Sequence, residues 1–118
     1  MRADQYQAAA ALAGAALLRP RARPQPVDRL TGNERNAVYI VCDRTGQVRY
    51  VGSTVGRPAK ARLAEHLGDT HRTREWHEAW VIPLRASTPA AAVRHIEGQV
   101  GRFLRPSDSR HLPRRGTA

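Results

Sequence analysis

The stretch Ala37 to Ser53, AVYIVCDRTGQVRYVGS, constrains the fold of this chain more than any other, because pattern, turn chemistry and residue choice agree across it. Val38 and Ile40 stand before the connection Arg44-Thr45-Gly46-Gln47, and Val48 and Val51 stand after it. β-Branched and aromatic runs on both sides of a short Gly-containing connection predict a β-hairpin. Tyr39 and Tyr50, two of only 3 tyrosines, fall within the two strands so predicted, in a chain with 5% aromatic residues.

The segments after the hairpin complete an α+β pattern. Ser53 to Arg57 reads as a loop and Pro58 as the first residue of a helix reaching Leu67, with Gly68 ending it. Leu63 and Leu67 share one face of that helix, and Arg62 and His66 share an adjoining one. A polar, basic loop bearing His71, Arg72 and Arg74 leads to Trp76–Leu84, short and apolar enough to be a third strand, with Pro83 closing it. Trp76 and Trp80 read as core or sheet-face residues, with base stacking as the other use of such rings. Ser87-Thr88-Pro89 opens a last helix whose inward stripe is Val93, Ile96, Val100, Phe103 and Leu104. Glu97 falls inside this stripe, where a carboxylate is costly unless it is ion-paired or holds a cation. The expected architecture is therefore a small three-stranded, mainly antiparallel sheet flanked by the Pro58 and Thr88 helices.

The termini read differently. The Ala-rich run Ala8 to Leu18 favours helix but offers little area to bury, and Arg19 to Pro26 carries enough proline to be an extended linker. The linker arginines are either a solvated tether or a track for a phosphate backbone. Residues 1–35 are expected outside the core, residues 36–110 form the domain, and the arginine-rich residues 111–118 form a basic flexible tail. Asp4 and the lack of a small-residue cleavage site argue against an export signal, and the run is too short to span a bilayer.

With 20 Lys and Arg against 10 Asp and Glu, the net charge is +10, which favours a polyanionic partner, nucleic acid before membrane. Because Lys60 is the only lysine, compositional bias toward arginine accounts for part of that excess. Cys42 is the single cysteine, so neither a disulfide framework nor a cysteine zinc site is available, and a buried thiol in a reducing cytoplasm is expected. Glycine-rich phosphate loops, dinucleotide fingerprints and paired-histidine zinc signatures are absent from the sequence, and no small-molecule cofactor is expected.

The hairpin resembles the GIY-YIG nuclease family: Ala37-Val38-Tyr39 stands where Gly-Ile-Tyr would, and Tyr50-Val51-Gly52 where Tyr-Ile-Gly would. The resemblance implies roles for residues beyond the hairpin. Arg62 matches the catalytic arginine of the following helix, His66 matches a histidine found one turn later in some members, and Glu97 matches the acid that holds a single divalent metal, Mg²⁺ or Mn²⁺. Tyr39 would activate or orient water, Tyr50 would support it by hydrogen bonding, and Arg62 would stabilise the phosphorane. Gly52 and Ser109 would be structural residues near the site. Ser109 stands where many members have asparagine, a departure that touches fine positioning more than fold.

The resulting expectation is a cytoplasmic, divalent-metal-dependent endonuclease acting on DNA, with RNA also open, and with Arg57, Lys60, Arg72 and Arg74 contacting phosphates. A catalytically inactive nucleic-acid-binding module with the same fold is the alternative. Taken singly, each tyrosine is compatible with an ordinary strand aromatic, and Arg62 and His66 with a solvated helix face.

Overall fold

Strand β2, Asn36–Cys42, is buried at every position, which requires cover on both faces of its sheet. A computed structural model, describing residues 1–108 without the side chain of Arg72, supplies that cover. Strands β1 (Gln25–Pro26), β2, β3 (Val48–Val55) and β4 (Glu78–Leu84) form a four-stranded antiparallel sheet in the order β1-β4-β2-β3. Tyr39 sits in register with Gly52 on one side and Val81 on the other.

Alternation divides β2 between two cores. Val38, Ile40 and Cys42 face helices α1 (Ala3–Ala11) and α4 (Ala90–Leu104), packing with Val51, Trp80, Ile82, Val93, Ile96 and Val100. Ala37, Tyr39 and Val41 face helix α2 (Ala59–Leu67), packing with Tyr50, Leu63, Trp76 and Val81. A one-turn helix α3, Thr70–Thr73, connects α2 to the approach of β4. The hairpin turn is set by Asp43, whose Oδ1 accepts hydrogen bonds from Thr45 N, Thr45 Oγ1 and Gln47 N at 2.9, 2.6 and 3.1 Å. Gly46 completes it with a φ of +87°, a conformation that favours glycine.

The structure corrects several expectations. The sheet has four strands, not three, because Gln25–Pro26 pairs with Ala79 and Glu78 on the outer edge of β4. A two-residue strand leaves no alternation to read, and an edge tolerates its proline. Residues 1–35 do not lie wholly outside the core: Tyr6, Ala9, Ala10 and Ala13 are buried in it. Tyr6 supplies the large side chain that the alanines lack, stacking on Trp80 at 5.4 Å, donating its hydroxyl proton to Val81 O and accepting from Arg21 N. The small alanines allow the helix backbone to come close. Pro83 lies within β4, opposite Ala37, and does not close the strand; its carbonyl accepts from Leu18 N on the outer edge, where the missing proline N–H removes no ladder bond. Trp76 precedes β4, and Phe103 turns outward at 50% exposure.

No helix among the described residues is long and apolar enough to cross a membrane.

Candidate active site

Tyr39 and Tyr50 share the α2 face because they occupy positions of equal parity across the β2/β3 ladder. Their rings lie 6.3 Å apart, and Gly52 is what lets them do so. A Cβ at position 52 would fall 2.6 Å from Cζ and Oη of Tyr39 and 2.8 Å from Cε2 of Tyr50, so any side chain there would displace the tyrosines. The Tyr39 ring therefore runs across β3 toward the free edge of the sheet.

Helix α2 brings His66 against both rings, with centroids 6.4 Å from Tyr39 and 5.3 Å from Tyr50. Trp76 closes the cluster, stacked on Tyr50 at 5.0 Å and edge-on to His66 at 5.8 Å. One turn before His66, Arg62 donates from Nη1 to Glu65 Oε1 at 3.0 Å, and Arg57 donates from Nη2 to Glu65 Oε2 at 2.6 Å. Glu65 thus ties two guanidinium groups together, and its hydrogen bonds to Arg57 and Arg62 hold its carboxyl below the ordinary value. The bond to Glu65 likewise raises Arg62, which stays a cation.

Glu97 reaches the same edge from the opposite face. Position 53 has the other parity, so Ser53 points toward α4, where its hydroxyl donates to Glu97 Oε1 at 2.5 Å. Among the described residues Glu97 forms no ion pair, which removes the arginine pairing as the explanation for an acid in this stripe. Its field is felt by Tyr39. Burial raises the Tyr39 phenol first, the neighbouring Tyr50 and Glu97 raise it further, and Arg62 pulls it down. Tyr39 is accordingly a protonated hydroxyl, able to donate and accept a hydrogen bond, and not a phenolate.

Tyr39, Tyr50 and Gly52 of the sheet and Arg62 and His66 of α2 therefore gather on the α2 face, and Glu97 of α4, bonded to Ser53 on the other face of β3, lies within electrostatic range of Tyr39. Arg57 and Lys60 are exposed at the start of α2. Arg74 is exposed with only a 3.9 Å approach to Glu75. Arg72 lies on α3, and Ser109 and the 111–118 tail lie outside the described residues. Sequence reasoning missed Ser53 and Glu65, and also Asp108, which accepts from the Trp76 indole Nε1 at 3.0 Å. No spacing rule links residues 53 and 97.

A divalent cation finds one suitable donor here. Among the described residues no three of His, Cys, Asp and Glu converge. Glu97 engages one oxygen with a serine hydroxyl and lacks a cationic partner, a donor chemistry that fits Mg²⁺ completed by water and phosphate oxygens.

A separate groove of about 420 Å³, lined by Arg21, Ala22, Arg23 and Gln25, lies along the N-terminal segment and shares no residue with this cluster. Arg21 there pairs with Glu34, whereas Arg23 is exposed. Comparison of the chain with known protein families, with curated proteins and with solved structures finds no match.

Proposed function

We propose that this protein is a GIY-YIG-like, divalent-metal-dependent endonuclease of DNA, working in the cytoplasm. The observation that carries the reading is the clustering of Tyr39, Tyr50 and His66 over Gly52 on one face of β3, with Arg62 one turn before His66 on α2 and Glu97 of α4 held by Ser53 on the other face of the same strand. Such a combination of neutral hydroxyl, fixed guanidinium and unpaired carboxylate is what phosphodiester hydrolysis needs.

Each side chain has a task in this scheme. Tyr39, held protonated by its burial, orients the attacking water by hydrogen bonding. His66, in contact with both tyrosine rings, takes the proton that the water gives up. Tyr50 fixes His66 and the floor of the site. Arg62 faces the non-bridging phosphate oxygens, where its permanent charge offsets the negative charge that grows as water adds to phosphorus. Glu97, with Ser53 beside it, would hold Mg²⁺ or Mn²⁺, and a cation there would supply Lewis-acid stabilisation of the phosphate and the leaving oxygen. Arg57, Lys60 and Arg74 guide the backbone of the duplex.

Incubation of the purified protein with supercoiled plasmid and Mg²⁺ or Mn²⁺ tests the proposal. Conversion to nicked and linear forms is expected. Intact plasmid under every divalent metal, with the DNA nonetheless bound, would replace the proposal by a non-catalytic binding module.

A further inference from the structure

The hairpin register slips once, and the slip leads to a residue outside the cluster. Cys42 pairs with Val48 and Val41 with Tyr50, which leaves Arg49 as the extra residue of a β-bulge. Its side chain is held by two acids. Asp43 lies 3.7 Å away, and Asp108 grips the guanidinium with both oxygens, Oδ2 at 3.1 Å from Nε and Oδ1 at 3.0 Å from Nη2. This is the paired geometry that makes arginine and carboxylate hold an orientation as well as a charge.

The chain after α4 is laid along the free edge of β3 by the same contacts. Ser107 N donates to Val48 O at 3.2 Å and Asp108 N donates to Arg49 O at 2.6 Å. The carboxylate of Asp108 then receives the indole Nε1–H of Trp76 at 3.0 Å. Trp76 sits in the connection between α3 and β4, outside any strand, so its backbone alone does not fix the ring. Its indole stacks on Tyr50 with an interplanar angle of 29°. A continuous set of contacts thus runs from the bulge through Asp108 and Trp76 to Tyr50.

We infer that Asp108 is a positioning residue: pinned by Arg49 at the bulge, it fixes the Trp76 indole, which in turn fixes the Tyr50 ring. Bulges re-aim the side chains next to them, and Tyr50 directly follows this one. Both partners of the Arg49–Asp108 pair are partly shielded, with side-chain exposures of 25% and 16%, so solvent only partly replaces the lost partner when one is removed. Asp108 touches no reacting atom. Its effect on catalysis rests on the nuclease reading; its effect on the geometry of Tyr50 does not.

The test uses the full chain with Asp108→Ala, Asp108→Asn and Trp76→Phe. The ¹H–¹⁵N indole signal of Trp76, identified by its loss in Trp76→Phe, reports the hydrogen bond, and the Tyr50 ring protons report the stack. In Asp108→Ala the indole signal should move upfield and exchange with solvent at least about 10-fold faster, and the Tyr50 ring protons should lose their ring-current shift. Cleavage kcat should fall about 10²-fold, the scale of a misplacement of 1 Å, while duplex affinity stays within about 2-fold. Asp108→Asn keeps one acceptor for the indole but sets an N–H donor against the Arg49 guanidinium, so the Trp76 and Tyr50 signals and kcat should lie between those of Asp108→Ala and the wild type. Should Asp108→Ala fail to fold, Asp108→Asn and Trp76→Phe carry the decision through the Tyr50 ring protons and kcat. Wild-type indole and Tyr50 signals in Asp108→Ala, or shifted signals with kcat unchanged, would overturn the inference. Absence of cleavage by the wild type would sink the nuclease reading alone, and the two spectroscopic signals would still decide whether Asp108 sets Tyr50.

Discussion

Gly52→Ala should be among the most damaging single-methyl additions in this protein. The new methyl would sit 2.6 Å from the Tyr39 ring and hydroxyl and 2.8 Å from the Tyr50 ring. Both rings are buried, at 1% and 6% exposure, and both pack against His66, so neither has free space to move into. Overpacking of this kind costs about 1–3 kcal/mol. For a domain of this size each kcal/mol lowers the melting temperature by roughly 4–8 °C, giving an expected drop of about 5–20 °C. Gly101→Ala is the matched control: it lies in α4 with nothing within 4 Å of the added Cβ, so the better helix former should stabilise by about 0.5–1 kcal/mol. Thermal unfolding followed by circular dichroism measures both, and cleavage assayed well below the melting point should still fall for Gly52→Ala. A melting temperature unchanged in Gly52→Ala would refute the close approach of the tyrosines that organises the site.

Other expectations follow from the same contacts. Tyr6→Phe removes the hydroxyl shared by Val81 O and Arg21 N and should cost about 1–3 kcal/mol in chemical denaturation, whereas an unchanged midpoint would place residues 1–16 outside the cooperative fold. Glu65→Gln frees Arg57 and Arg62 from their shared carboxylate, and should raise duplex affinity several-fold and steepen the slope of log affinity against log salt toward one more phosphate, about 0.9. Burial pushes the Cys42 thiol up to about 11 and raises the Tyr39 and Tyr6 phenols. These raised groups stabilise the fold while protonated, so stability should be intact below about pH 9 and decline as pH rises toward 11, where the unfolded chain ionises first; Cys42→Ala should flatten the first part of that decline in melts recorded at successive pH values. Neutralising Arg57, Lys60 and Arg74 should flatten the salt dependence more than neutralising Arg19 and Arg23, measured by fluorescence anisotropy with a duplex.

The hairpin and its two tyrosines were legible because strand alternation and a glycine turn act over a few neighbouring residues. The same holds for α4, where Val93, Ile96 and Val100 mark the buried face and Glu97 marks itself by polarity. What was not legible depended on distant partners. Tyr6 gains its place only through Trp80 and Val81, more than seventy residues away, and a lone tyrosine before an alanine run carries no periodicity to announce it. The pairing of Gln25–Pro26 exists because β4 leaves an open edge, and Pro83 is accepted inside β4 because its nitrogen faces that edge. Ser53 and Glu97 meet around the rim of the sheet, and Asp108 reaches Arg49 across 59 positions. These are properties of the packed chain, and local pattern does not encode them.

The most direct test of the account is the cleavage rate of Glu97→Gln beside the wild type at matched DNA occupancy across a Mg²⁺ titration. Glutamine keeps an oxygen to accept from Ser53 and removes only the charge, so fold and duplex affinity should be retained within about 2-fold. The account predicts a rate lower by about 10²-fold or more, with the wild-type rate rising with Mg²⁺ and the variant insensitive to it. Equal cleavage by the two proteins, or no cleavage by either, would contradict it.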